Sequence, residues 1–132
     1  YDLENGSISN QRTFFDNNKR SSPLLLGALT GAGNPDGHTT DSNGNVYQAQ
    51  FGASTVERFT PEGINDLTIQ LPARCPTCPV FGGPDLTSLY VTTASEALLA
   101  GEMAAGDLGG MVFRIDLSEE GVKGVVKHQF AG

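Results

Sequence analysis

The sequence predicts an all-β fold assembled from four-stranded blades. Three observations carry that expectation: a turn-rich composition, strands with a period of two, and acidic turn units that recur at nearly constant spacing. Of the 132 residues, 17 are Gly and 7 are Pro, while 38% are hydrophobic and 17% are charged. That balance suits short strands joined by tight turns, and it is too apolar and too weakly charged for a disordered chain. The length is that of one domain with a core of its own.

The recurrence sets the architecture. YDLENGSISNQRTFF, FTPEGINDLTIQL and IDLSEEGVKGVVKHQF each run from an apolar strand end through an acidic, Gly-containing turn into a second strand. Their turn glycines, Gly6, Gly63 and Gly121, stand 57 and 58 residues apart. Between them, DSNGNVYQAQ and GPDLTSLYVTTA place a turn before a Tyr-containing strand, with Tyr47 and Tyr90 separated by 43 residues. Repeated four-stranded units without intervening helices read as blades. On this count the chain holds the second half of one blade and then two whole blades. The step from Tyr47 to Gly63 is 16 residues and that from Tyr90 to Gly121 is 31. SEALLAGEMAAGDLGG accounts for the difference and reads as an inserted loop.

Individual strands follow from alternation. LTIQL sets Leu67, Ile69 and Leu71 against Thr68 and Gln70, and MVFRIDL sets Met111, Phe113, Ile115 and Leu117 against Arg114 and Asp116. Asn43-Gly44 offers a pair that tolerates positive φ, as a tight hairpin demands. Two and a half blades leave two blade faces without neighbours. The chain is therefore expected to belong to a larger ring or to self-associate.

Charge and hydropathy exclude several partners. A net charge of −7 repels nucleic acid and anionic membrane, and the only adjacent basic pair, Lys19-Arg20, is too short to override it. No apolar run approaches the roughly 20 residues that span a bilayer. LLLGAL, the longest candidate, has six residues. The chain opens on Tyr1 without a signal peptide, which fits either a cleaved mature protein or a piece of a longer chain. The lack of secretory cues predicts a cytoplasmic setting.

Few motifs carry chemistry. Cys75-Pro-Thr-Cys78 is half of a zinc-ribbon site without its second pair, and LPAR and PVFGG flank it as a loop entering a strand. Two reduced structural thiols are expected. Asp41-Ser-Asn43-Gly-Asn45 resembles the start of a calcium loop, but its sixth and twelfth positions are Val46 and Gly52 where an EF-hand needs Gly and Glu. A hairpin fits better. Gly27, Gly31 and Gly33 lack the Gly-Lys-Ser/Thr that ends a phosphate loop. His128 reads as a strand residue, whereas His38 stands two positions from Asp36, close enough in sequence to line a pocket. Asp36 itself, in Pro-Asp-Gly, reads on its own as a turn residue bracing the backbone.

Taken in order, YDLENGSISNQRTFF, PDGHTTDSNGNVYQAQFGASTVERF with its P-E-G turn, FGGPDLTSLYVTTA, GGMVFRIDL and the terminal FAG resemble the SMP-30/gluconolactonase/regucalcin-like family of six-bladed β-propeller lactonases. The resemblance covers almost the whole chain and matches the C-terminal part of the family fold. It implies that residues 1–132 are the C-terminal portion of such a propeller. It also implies one divalent cation, calcium or zinc, held by a Glu, an Asn and an Asp from separate blades. The Asp maps onto Asp36. The other two have no counterpart here, and His38 replaces the hydrophobic residue often found two places after that Asp. The implied reaction is metal-dependent hydrolysis of a sugar lactone ester, with Asp36 as metal ligand and candidate general base. A non-catalytic half-propeller, or a binding or assembly module, is the alternative expectation for the chain alone.

Overall fold

The computed structural model describes residues 5–17, 33–95 and 106–126. Seven strands form two antiparallel sheets. The first sheet runs β1 (Asn34–Thr40), β2 (Val46–Phe51), β3 (Thr55–Phe59) and β4 (Asn65–Gln70), each paired with the next. The second runs β5 (Pro76–Gly82), β6 (Ser88–Thr93) and β7 (Val112–Asp116), followed by a 3-10 turn at Ser118–Glu120. The fold is all-β, in two up-and-down sheets of the kind expected for propeller blades.

Turn chemistry explains the meander. Between β3 and β4, Pro61 follows Thr60, Gly63 takes φ +81°, and the Gly63 N–H donates to the Thr60 carbonyl at 2.8 Å. Pro presets the second turn residue and Gly supplies the left-handed conformation. The β1–β2 hairpin is closed differently from expectation. Of the Asn43-Gly44 pair only Gly44 takes positive φ, at +82°. Asp41, 2% exposed, does the closing: its carboxylate accepts from the Asn43 and Asn45 backbone N–H groups at 2.9 Å and from Asn45 Nδ2 at 2.8 Å. The side chain thus replaces the ladder bonds that a two-residue turn would have kept.

Alternation decides which face is buried. Leu67 and Ile69 are half-buried between exposed Thr68 and Gln70, and Phe113 and Ile115 flank exposed Arg114. The core lies between the sheets. Tyr47, Val56 and Leu71 meet Phe81, Leu89, Val91, Leu117 and Val122. Tyr47 and Phe81 pack edge to face, with centroids 5.0 Å apart and planes at 87°. Burying each such side chain stabilises the fold by roughly 1.5–3 kcal/mol. After β7 the chain ties the two sheets together: Ser42 N, in the β1–β2 turn, donates to the Lys123 carbonyl at 2.7 Å, and Gly124 N donates to the Leu86 carbonyl of the β5–β6 turn at 2.8 Å. A Cβ at Gly124 would run into the Phe81 ring.

One expectation changes. Residues 5–17 form no strand, although Gly6 makes its turn with φ +73°. The segment nevertheless lies on the first sheet, with the Phe14 carbonyl close against Gly63. Phe15 packs on Phe59 with ring centroids 4.4 Å apart and planes tilted at 43°, and Asn17 Nδ2 donates to the Gly33 carbonyl at 3.2 Å. Among the described residues the second sheet has three strands, and exposed Val125 and Val126 belong to none, while the rest of VVKHQF lies outside the described residues. His128, Gly27, Gly31, Lys19-Arg20, LLLGAL and residues 96–105 of the insertion lie outside the described residues.

Candidate functional site

Asp36 does not sit in a turn. It lies within β1, where the register with β2 slips: Pro35 faces Gln50 and His38 faces Gln48. Asp36 and Gly37 therefore share the place opposite Ala49. This is a β-bulge, which leaves extra backbone unpaired and re-aims a side chain. β1 is an edge strand, where Pro35 costs no ladder bond. Asp36 and His38 are exposed on either side of Gly37.

Three contacts hold the bulge. Gln48 Nε2 donates to the Asp36 carbonyl at 2.8 Å and to the Gly37 carbonyl at 3.1 Å. On the other side Gly37 presses against β5, the edge strand of the second sheet. A Cβ there would stand 2.7 Å from the Thr77 carbonyl oxygen and 3.0 Å from Cys78 Cα. The two edge strands converge at this point, and only Gly permits the approach. Behind the bulge, Gln50 is fully buried and donates through Nε2 to Glu57 Oε2 at 3.0 Å.

The same end of the sheets gathers several loops. Gly33 abuts Ala53 in the β2–β3 turn. The Gly52 and Ser54 N–H groups both donate to the Arg74 carbonyl at 3.0 Å. Asp107, ahead of β7, accepts from Arg74 N at 3.0 Å and Gly109 N at 2.7 Å. Asp36 thus projects from a braced backbone and not from a free loop.

Its chemistry is that of a single hard oxygen ligand. Among the described residues no group of three or more His, Cys, Asp and Glu could hold a metal ion. Asp36 fits as one contributor to a cation site and cannot make a site alone, since calcium takes 6–8 oxygens. Asp41, the other acidic residue of the motif, spends its carboxylate on the hairpin. Cys75, just before β5, is buried, Cys78, within β5, is exposed, and both are free. Burial pushes the Cys75 thiol pKa up. An extended strand separates residues three apart by about 10 Å, too far for a disulfide.

Sequence reasoning passed over Gln48 and Gln50. Both were visible as amides at alternate positions of VYQAQF, a place where a half-buried strand would ordinarily carry apolar or β-branched residues on one face. No helix of the described residues is long and apolar enough to cross a membrane.

Residues 1–95 match the SMP-30/Gluconolactonase/LRE-like region. The chain is 42% identical over 100 residues to a 6-deoxy-6-sulfogluconolactonase of Pseudomonas putida, an alignment covering 76% of this chain and 33% of that protein. It is 34% identical over 125 residues to a pentonolactonase of Haloferax volcanii, covering 92% of this chain and 39% of that one. In structure it is similar to a calcium-binding protein, regucalcin, from Agrobacterium tumefaciens strain C58, with TM-score 0.69 and 28% identity over 89% of this chain and 35% of that one. The chain thus spans 33% and 39% of the length of these two curated relatives. With the bulged Asp36 strand, the two blade-like sheets and these matches together, the chain belongs to the SMP-30/gluconolactonase/LRE-like family.

Proposed function

We propose that this chain is the C-terminal part of a six-bladed, divalent-metal-dependent sugar lactonase, and that Asp36 supplies one carboxylate ligand at the mouth of its axial channel. The observation that carries the reading is the bulge: a rigidly braced edge strand presents an exposed carboxylate where two sheets converge. Relatives named as lactonases support the reaction class, and a calcium-binding structural relative supports the cation. Calcium suits an oxygen donor, and zinc is the other candidate.

When bound, such a cation supplies Lewis-acid polarisation of the lactone carbonyl. The chain's own residues do the rest that falls to this segment. Asp36 holds one position of the ligand shell and can accept the proton of the attacking water. Gly37 lets the neighbouring strand approach, and His38 lines the rim beside the substrate. The remaining ligands come from preceding blades, so the chain by itself has an incomplete active site. Two free thiols fit a cytoplasmic setting.

A second reading, a half-propeller that assembles with another copy, is favoured by Val80 and Val112, which are 40% and 62% exposed on the outer face of the second sheet. One experiment separates the two. Hydrolysis of glucono-1,5-lactone is measured with calcium or zinc, together with mass in solution, for this chain alone and for the protein in which preceding blades adjoin it. The proposal predicts turnover, abolished by chelation, only in the longer protein. Turnover by the monomeric chain, or none in either, overturns it.

A further inference from the structure

We infer that Gln48 is a positioning residue for Asp36, its side-chain amide standing in for the ladder bonds that the bulge removes. The inference rests on the reading of Asp36 as a metal ligand and extends it to a residue that touches no metal. Register places Asp36 and Gly37 together opposite Ala49, so β2 offers one backbone position for two residues. Two carbonyls at the bulge then need donors. Gln48 Nε2 reaches both, at 2.8 Å and 3.1 Å, and touches the Ala49 carbonyl at 3.1 Å. Both amide hydrogens are thereby used, and all three acceptors belong to the bulge or its partner.

The side chain is aimed by its surroundings. Gln48 is half-buried beneath an apolar cavity of about 210 Å³. Pro35, Val46, Phe14, Phe15 and Phe59 line the cavity with it and offer no side-chain acceptor, so that the Thr13 hydroxyl is the one other polar side chain of the lining. An amide facing such a wall is driven to its backbone acceptors, because an unmet donor there costs more than the bond gains. Gly37, wedged against Thr77, blocks the bulge from relaxing toward β5. Clamp and wedge together leave Asp36 one backbone conformation, as a ligand that must meet a cation to within a few tenths of an ångström requires.

The test uses the protein in which preceding blades adjoin this chain, labelled for nuclear magnetic resonance, without metal and then with manganese(II). In the unsubstituted chain, scalar couplings across the hydrogen bonds from Gln48 Nε2 to the Asp36 and Gly37 carbonyl carbons are expected. Gln48→Met keeps the length and removes the donors. Its Asp36–Gly37 order parameters should fall from the rigid value of about 0.85 toward 0.6, with Val56, Leu89 and the melting temperature unmoved. Gln48→Lys, which restores donors, should recover the rigid value. Missing couplings, or a bulge equally ordered in Gln48→Met, overturn the inference. Asp36→Asn should leave the bulge ordered while abolishing manganese broadening at that residue; persistent broadening there sinks the ligand reading and leaves the clamp standing.

Discussion

Gly37 of β1 and Thr77 of β5 meet backbone to backbone, so that a Cβ on Gly37 would lie 2.7 Å from the Thr77 carbonyl oxygen. This contact joins the two sheets at the edge where Asp36 projects. Gly37 has no left-handed φ, so Gly37→Ala is costly through crowding alone. Overpacking of this kind costs roughly 1–3 kcal/mol. Urea denaturation should show that loss as a lower midpoint at unchanged slope. An unchanged midpoint would mean that the strands do not approach so closely.

Tyr47 and Phe81 carry the other join between the sheets. Phe81→Ala removes the edge-to-face contact and opens a cavity against Val56 and Leu89, at a cost of about 3–5 kcal/mol. That approaches the whole stability of an ordinary domain, about 5–15 kcal/mol. Thermal unfolding followed by circular dichroism should show a large drop in midpoint, or loss of the transition.

Arg58 and Asp66 pair through two bonds, Nε to Oδ1 at 2.8 Å and Nη2 to Oδ2 at 3.0 Å. The guanidinium holds the Asp66 carboxyl below its usual 3.8. A carboxylate whose folded pKa is depressed adds stability that is complete above the unfolded pKa and is lost as pH falls through the folded one. The pair is solvent-facing and is worth only about 0.2–1 kcal/mol. A carbon-detected titration should therefore place the Asp66 midpoint below 3.8. Arg58→Met should return it to the ordinary range and reduce stability at pH 7, with the difference shrinking as pH falls through the Asp66 midpoint.

The two thiols should react at different rates. Cys78 is exposed and Cys75 buried with a raised pKa. In native buffer at pH 8, an aromatic disulfide reagent should modify one thiol promptly and the second slowly, and denaturant should release two. A count of zero after denaturation without reductant would place the protein in an oxidising compartment.

Much of this molecule was legible from period and turn chemistry. Leu67-Thr68-Ile69-Gln70 and Val112 to Leu117 alternate as their sequences require, and Gly63 and Gly121 mark turns at the expected places. What local pattern could not reveal was pairing. Pro-Asp-Gly has the composition of a turn, yet β2 runs alongside it and converts it into a bulge. The residues of NGSISNQRTFF have strand character but form no strand, and they rest on the first sheet where Phe15 meets Phe59 and the Phe14 carbonyl lies against Gly63. Gln48 stands out in VYQAQF as an amide, but its role was hidden for the same reason: its partners are 11 and 12 residues away, across a register slip that no periodicity encodes. For Asp41 the sequence already favours a hairpin over a calcium loop, and its three accepted hydrogen bonds show how it closes that hairpin.

The most direct check on Asp36 is calorimetric. Calcium is titrated into the protein that joins this chain to its preceding blades, with and without Asp36→Asn. If the Asp36 carboxylate binds the cation, the substitution should weaken affinity by at least about 100-fold, more than loss of an outer supporting group would. Equal affinities for the two proteins would show that the cation is held without Asp36.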